Sequence, residues 1–175
     1  WWISQPIVRR SYVPSAGDVA YLRRGGRKSW RYFEDVVGRD ELWLAPDNFQ
    51  EDPPVGLAHR TSPTNLSLAL LSTLSAYDLG YLDVSNLVTR LEATLASMAR
   101  LERYEGHFYN WYDTRSGQAL LPRYVSTVDS GNLVGHLLAL KQGCIELTLA
   151  PHYTRQTSLA LNDLLGLVPQ GLGHS

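Results

Sequence analysis

The chain has 175 residues, a formal net charge of −1 and 44% hydrophobic residues. That composition suits one globular domain with a core large enough to fold, and the balanced charge gives no reason to expect a nucleic-acid partner. Cys144 is the single cysteine, which excludes an intrachain disulfide and a cysteine-rich metal site.

The opening "WWISQP" has two readings. One is a flexible tail. The other is the exit of a preceding membrane helix, because tryptophan favours the membrane interface. No apolar run is long enough to span a bilayer, and no signal-peptide pattern is present. The first predicted helix runs from about Asp18 to Val37, with Val19, Leu22, Trp30, Phe33, Val36 and Val37 on one stripe. Gly25 and Gly26 weaken its middle, and Gly38 suits its C-terminal cap. Arg23, Arg24, Arg27, Lys28 and Arg31 read as a solvated helix face, with a phosphate-binding patch as the alternative.

Residues 39 to 62 form a long link containing "LWLAPDNFQEDPP", and a link of that length is functional or disordered. Its apolar Leu42, Trp43 and Phe49 argue against disorder. Ser62 as N-cap and Pro63 at the first position start the second helix. That helix is apolar nearly all round, so it should be buried on several sides, and Gly80 ends it. A third helix begins near "DVSN" and continues through "LERYEG", with Leu87, Leu91, Leu95, Met98 and Leu101 as its stripe. Alternation in "HFYNWYD", followed by Ser116 and Gly117, predicts a short hairpin or ordered loop within 106 to 125. A fourth helix opens at "STVDSGN" and stops at Pro151. A fifth, "TRQTSLALNDLLGL", completes the chain. Long loops and short turns therefore alternate, which places the long loops at one end of an antiparallel array.

Those loops offer Asp47, Asn48, Gln50, His59, Arg60, Tyr109, Asn110, Trp111, Asp113, Arg123 and Asp129. Sugars require such a mixture, since their hydroxyls bond polar side chains while their C–H faces lie on aromatic rings. The competing reading is structural: Tyr109 and Trp111 pack on the bundle, Asp113 braces a turn, Asp129 caps the fourth helix, and Arg60 pairs with Asp47. Along an extended segment Tyr109, Trp111 and Asp113 should share one side and Asn110 the other. Hydrolysis or transglycosylation would need two acids flanking a glycosidic bond; neither Asp113 nor Asp129 has a sequence neighbour that would raise its pKa. "DNFQED" lacks the glycine and closing glutamate of a calcium loop, and the histidines show no pair at zinc-ligand spacing.

Three stretches, "RKSWRYFEDVVG", "PDNFQEDPPVGLAHRTSPTNLSLALLSTLSAYDLGY" and "LERYEGHFYNWYDTRSGQALLPRYVSTVDSGNLVGHLLALKQG", resemble the central, glucoamylase-like region of bacterial cyclic beta-1,2-glucan synthases. The resemblance covers about residues 18 to 150. It implies an all-α fold in which helical hairpins form the first part of an (α/α)6 toroid. It also implies a large inner-membrane parent that uses UDP-glucose as donor, makes beta-1,2-glucan and cyclises it. On that basis residues 1–15 are a membrane-exit or linker tail. Residues 16–175 are a helical fragment on the cytoplasmic side, working with the parent's remaining domains. No cofactor is expected in the fragment and no catalytic residue is carried over, because the reacting carboxylates are expected in later hairpins. Arg60, Tyr109, Asn110, Trp111, Asp113 and Asp129 are expected to line a glucan-binding mouth. Uncovered apolar helix faces would allow homo-oligomers. "RRGG" at 23 to 26 departs from the regular helix the resemblance leads one to expect. The alternative function is a non-enzymatic helical module that binds carbohydrate or protein.

Overall fold

A computed structural model describes residues 12–149 and 155–165 of the chain. The opening "WWISQP", Pro151 and the tail after residue 165 lie outside the described residues. In chain order the elements are helix α1 (Ala16–Val36), a 3-10 turn (Arg39–Glu41), strands β1 (Phe49–Gln50), β2 (Gly56–Leu57) and β3 (Arg60–Thr61), and helices α2 (Pro63–Asp78) and α3 (Val84–Arg100). Strands β4 (Arg103–Tyr104), β5 (His107–Phe108) and β6 (Tyr112–Asp113) follow, then helices α4 (Thr127–Leu149) and α5 (Arg155–Leu165). The architecture is all-α, with three two-stranded pairs confined to the connecting loops. None of the described helices is long and apolar enough to cross a membrane.

Capping chemistry sets the helix starts. Ser15 and Asp18 form a reciprocal capping box on α1, the Ser15 hydroxyl accepting from Asp18 N at 3.2 Å and Asp18 Oδ2 accepting from Ser15 N at 2.8 Å. Ser62 caps α2 ahead of Pro63 as the sequence implies, and Asp83 caps α3. α2 is the central element and packs on α4, α3 and α1. Its Leu66, Leu70 and Leu74 join Leu87, Leu91 and Met98 of α3 and Leu133 and Leu140 of α4. The loops complete this core with Leu44, Leu101, Phe108 and Tyr112, so the long connections are ordered by their own apolar side chains.

Several sequence expectations are corrected. α1 runs unbroken through Gly25 and Gly26. Its buried residues are Arg23 and Trp30, while Val19 and Leu22 are exposed. Nor is the basic run a solvated face throughout. Arg23 pairs with Asp163 of α5 at 2.7 Å and donates to the Leu79 carbonyl, and Arg27 pairs with Glu34 at 2.7 Å. Both guanidinium groups lie over the Tyr81 ring. The helices α1 and α5 meet here, and a cation buried at such a junction requires its counter-charge. Gly38 does not cap α1 in the left-handed region; Val37 ends the helix in extended conformation. Arg90 of α3 then reaches the carbonyls of Val37 and Glu34 and lies between the rings of Trp30 and Trp43. α3 itself stops at Arg100, where Leu101 turns extended, so "LERYEG" enters a hairpin instead of continuing the helix. Leu95 is exposed, and Thr94 takes the inward position, donating to the Trp43 carbonyl.

Candidate functional site

The long loops do converge. β3 pairs with β6 in antiparallel register, Arg60 opposite Asp113 and Thr61 opposite Tyr112. This joins the connection before α2 to the one before α4. The alternation expected along 109 to 113 holds. Asn110 and Tyr112 are buried, and Tyr109, Trp111 and Asp113 are half-buried. Tyr112 is the anchor. It is fully buried, its hydroxyl donates to the Glu102 carbonyl at 2.6 Å, and it accepts from Tyr109 N at 2.7 Å. Burial pushes its pKa up to about 12.

Asn110 is the polar node. With its amide oriented to satisfy both ends, the oxygen accepts from Trp111 Nε1 at 2.8 Å and from the Tyr124 hydroxyl at 2.7 Å, and the nitrogen donates to Asp129 Oδ2 at 3.0 Å. Burial pulls the Asp129 carboxyl upward. Hydrogen bonds from Ser126, Thr64 and Ser62 outweigh it and hold the group below the usual carboxylate range. Asp129 thus binds the start of α4 to the start of α2. Asp113 braces a turn, its Oδ1 accepting from Arg115 N, Ser116 N and Ser116 Oγ. Desolvation again opposes these bonds, and again the carboxyl ends below its ordinary value. Neither group has the raised pKa of a general acid.

Arg60 lies over the Trp111 ring, its guanidinium carbon 4.7 Å from the centroid, and pairs with Asp47 at 3.1 Å. Asn65 of α2 donates to the other Asp47 oxygen at 2.9 Å. One face of Trp111 is therefore already covered by an arginine, and the loop ends are tied by a neutral ion pair.

Tyr109 likewise has an arginine over its ring, Arg123 at 5.6 Å. It lines a cleft of about 440 Å³ together with Tyr104, His107, Arg123 and Tyr124. Of these, Tyr109 and Arg123 were legible as candidates. Tyr104 was hidden because its segment reads as the end of a helix, and His107, although inside the predicted hairpin or loop, was not singled out. Tyr124 carried a signal in its place within "RYVSTVDSGN", beside a predicted helix start. Glu41, buried in the 3-10 turn, gave no sequence signal at all. Among the described residues there is no cluster of His, Cys, Asp and Glu able to hold a metal.

No family model matches the chain. It is 42% identical, over 176 residues and 99% of its length, to the cyclic beta-(1,2)-glucan synthase NdvB of Rhizobium meliloti (strain 1021). It spans 6% of that protein. A glucoamylase-like structure from Bacteroides fragilis superposes with a TM-score of 0.60 at 16% identity, over 93% of this chain and 37% of the other. An endo-beta-1,2-glucanase from Chitinophaga pinensis, in complex with sophorotriose and glucose, superposes with a TM-score of 0.60 at 15% identity, over 87% of this chain and 36% of the other. Over nearly its whole length the chain is therefore related to a small segment of a cyclic beta-(1,2)-glucan synthase, and its fold is that of the glucoamylase-like (α/α)6 structures.

Proposed function

We propose that the chain binds beta-1,2-glucan as part of a larger glucan-making and glucan-cyclising synthase and carries no catalysis alone. The observation that carries this is the cleft of about 440 Å³ lined by Tyr104, His107, Tyr109, Arg123 and Tyr124. A saccharide needs flat apolar faces with hydrogen-bonding groups at their edges, and a cleft of this size is within the range of ligand sites. Arg123 stands over the Tyr109 ring at 5.6 Å, so one wall offers donors beside an aromatic face. Similarity to the synthase supplies the class of sugar. Asp113 and Asp129 are held ionised by structural hydrogen bonds, which suits positioning and not protonation of a leaving group. On this reading UDP-glucose is handled elsewhere in the parent.

Calorimetric titration of the chain with linear beta-1,2-gluco-oligosaccharides tests the reading. Binding is expected, and Tyr109→Ala should weaken it roughly fivefold, the equivalent of about 1 kcal/mol for a lost ring face. Trp111→Ala should weaken it less, because Trp111 does not line this cleft. Affinity unaltered by Tyr109→Ala counts against this cleft. Sugar release from the glucan by the purified chain, abolished by Asp129→Asn, would overturn the non-catalytic role.

A further inference from the structure

A second polar assembly flanks the β3–β6 pair, built on His59 and Thr114, the residues next to Arg60 and Asp113. Glu41 is buried to 6% exposure. Its Oε2 accepts from Thr114 Oγ1, which belongs to a fully buried residue. Its Oε1 lies 2.8 Å from His59 Nδ1. A carboxylate has only acceptor sites, so Nδ1 is the ring nitrogen that carries the proton toward it. Thr114 N donates to the His59 carbonyl at 3.1 Å, so one residue fixes both the carboxylate and the backbone that bears the imidazole. The ring is held from two directions and its tautomer is set, leaving Nε2 with a defined role. Among the described residues Nε2 has no hydrogen-bonding partner.

That nitrogen belongs to a side chain that is 33% exposed. His59 lines a cavity of about 400 Å³ with Asn48, Gln50, Val55, Gly56 and Arg60. Arg60 is already paired with Asp47, and His59 Nδ1 already donates to the Glu41 carboxylate. What remains for a ligand is a set of neutral or locally compensated hydrogen-bonding groups. That favours a neutral, hydroxyl-rich molecule over an anion. Burying a carboxylate against an orienting imidazole is costly unless both are bonded, and here the arrangement holds the ring at the cavity wall.

We propose that this cavity is a second saccharide subsite, in which His59 Nε2 and the amides of Asn48 and Gln50 bond sugar hydroxyls. Glu41 and Thr114 are its positioning residues. The proposal rests on the glucan-binding reading above. The chain of contacts Tyr124, Asn110, Trp111, Arg60 links the wall of this cavity to that of the aromatic cleft.

The test is side-chain NMR, reading the imidazole and amide nitrogens together with the tyrosine ring protons, of the chain titrated with linear beta-1,2-gluco-oligosaccharides of increasing length. The expected result is movement of the His59 Nε2 signal and of the Asn48 and Gln50 side-chain amides. His59→Ala should lower affinity for the longer oligosaccharides about fivefold, with His59→Gln recovering part of it. Glu41→Gln should populate the Nε2–H tautomer and weaken binding without removing the ring. Should Glu41→Gln fail to fold, the substitutions at half-buried His59 still decide the matter. Shifts at Tyr109 and Tyr124 with a silent His59 overturn this subsite and leave the aromatic cleft standing. Shifts at His59 with silent tyrosines support this subsite and overturn the cleft. Silence at both overturns both.

Discussion

Tyr112 and Asn110 hold the loop end together by different means, and substitutions should separate them. Tyr112→Phe keeps the ring in the core but leaves Tyr109 N without its acceptor and the Glu102 carbonyl without its donor. A loss of about 1–3 kcal/mol is expected in denaturant titration, the cost of buried groups left unpaired. Asp129 gives the second residue-scale prediction. Its folded pKa lies below its ordinary value, so its contribution is fully present above the unfolded pKa of about 4 and is lost as pH falls through the folded value. Asp113 follows the same sign. The melting temperature should therefore fall as pH drops below about 4, and Asp129→Asn should flatten part of that slope while lowering stability at neutral pH. At this scale the sequence told which side of the strand faces inward, because a period of two depends only on local geometry. It did not tell that Arg60 covers Trp111, because that contact depends on how two distant loops meet.

Close helix approach makes Gly143 of α4 different from Gly25 of α1. A Cβ at Gly143 would lie 2.4 Å from Leu74 Cδ2 of α2. Leu74 belongs to the core, so Gly143→Ala should cost about 1–3 kcal/mol by overpacking. At Gly25 an added Cβ meets nothing within 4 Å. Gly25→Ala should stabilise the chain by about 0.5–1 kcal/mol, because alanine gives up less backbone freedom in a helix. Paired thermal melts check both signs. Apolar periodicity and cap residues made α2 and α4 legible. The end of α3 was not, since Leu101 continues the apolar stripe into a residue that is already extended. Two-residue strands such as β3 and β6 carry no pattern of their own; a pairing partner far along the chain creates them.

Taken whole, the molecule leaves one face of α4 uncovered. Val134, Leu138, Ile145 and Leu149 are exposed and fall on one stripe at helical spacing, opposite the side that packs on α2. Apolar surface of this kind drives association. The isolated chain should sediment with a concentration-dependent mass, and Val134→Lys with Leu138→Glu should yield a monomer with unchanged helical content. A monomer at high concentration from the unsubstituted chain would count against this. The extent of α4, opening at "STVDSGN" and stopping before Pro151, was visible in the sequence. Which face would lie against α2 was not, because a helix with no polar side gives no orientation.

The bond between Glu41 and Thr114 links residues 73 apart in sequence. At the roughly 5–20 residues per second of protein synthesis, the two halves leave the ribosome about 4–15 s apart. Helices α2 and α3 lie between them, so both helices are translated while the acid that will be buried still faces water. His59 is made within that same interval, and its ring meets a carboxylate whose hydroxyl partner has yet to be synthesised. The loop end of the nascent chain is therefore completed only after the helices on which it rests.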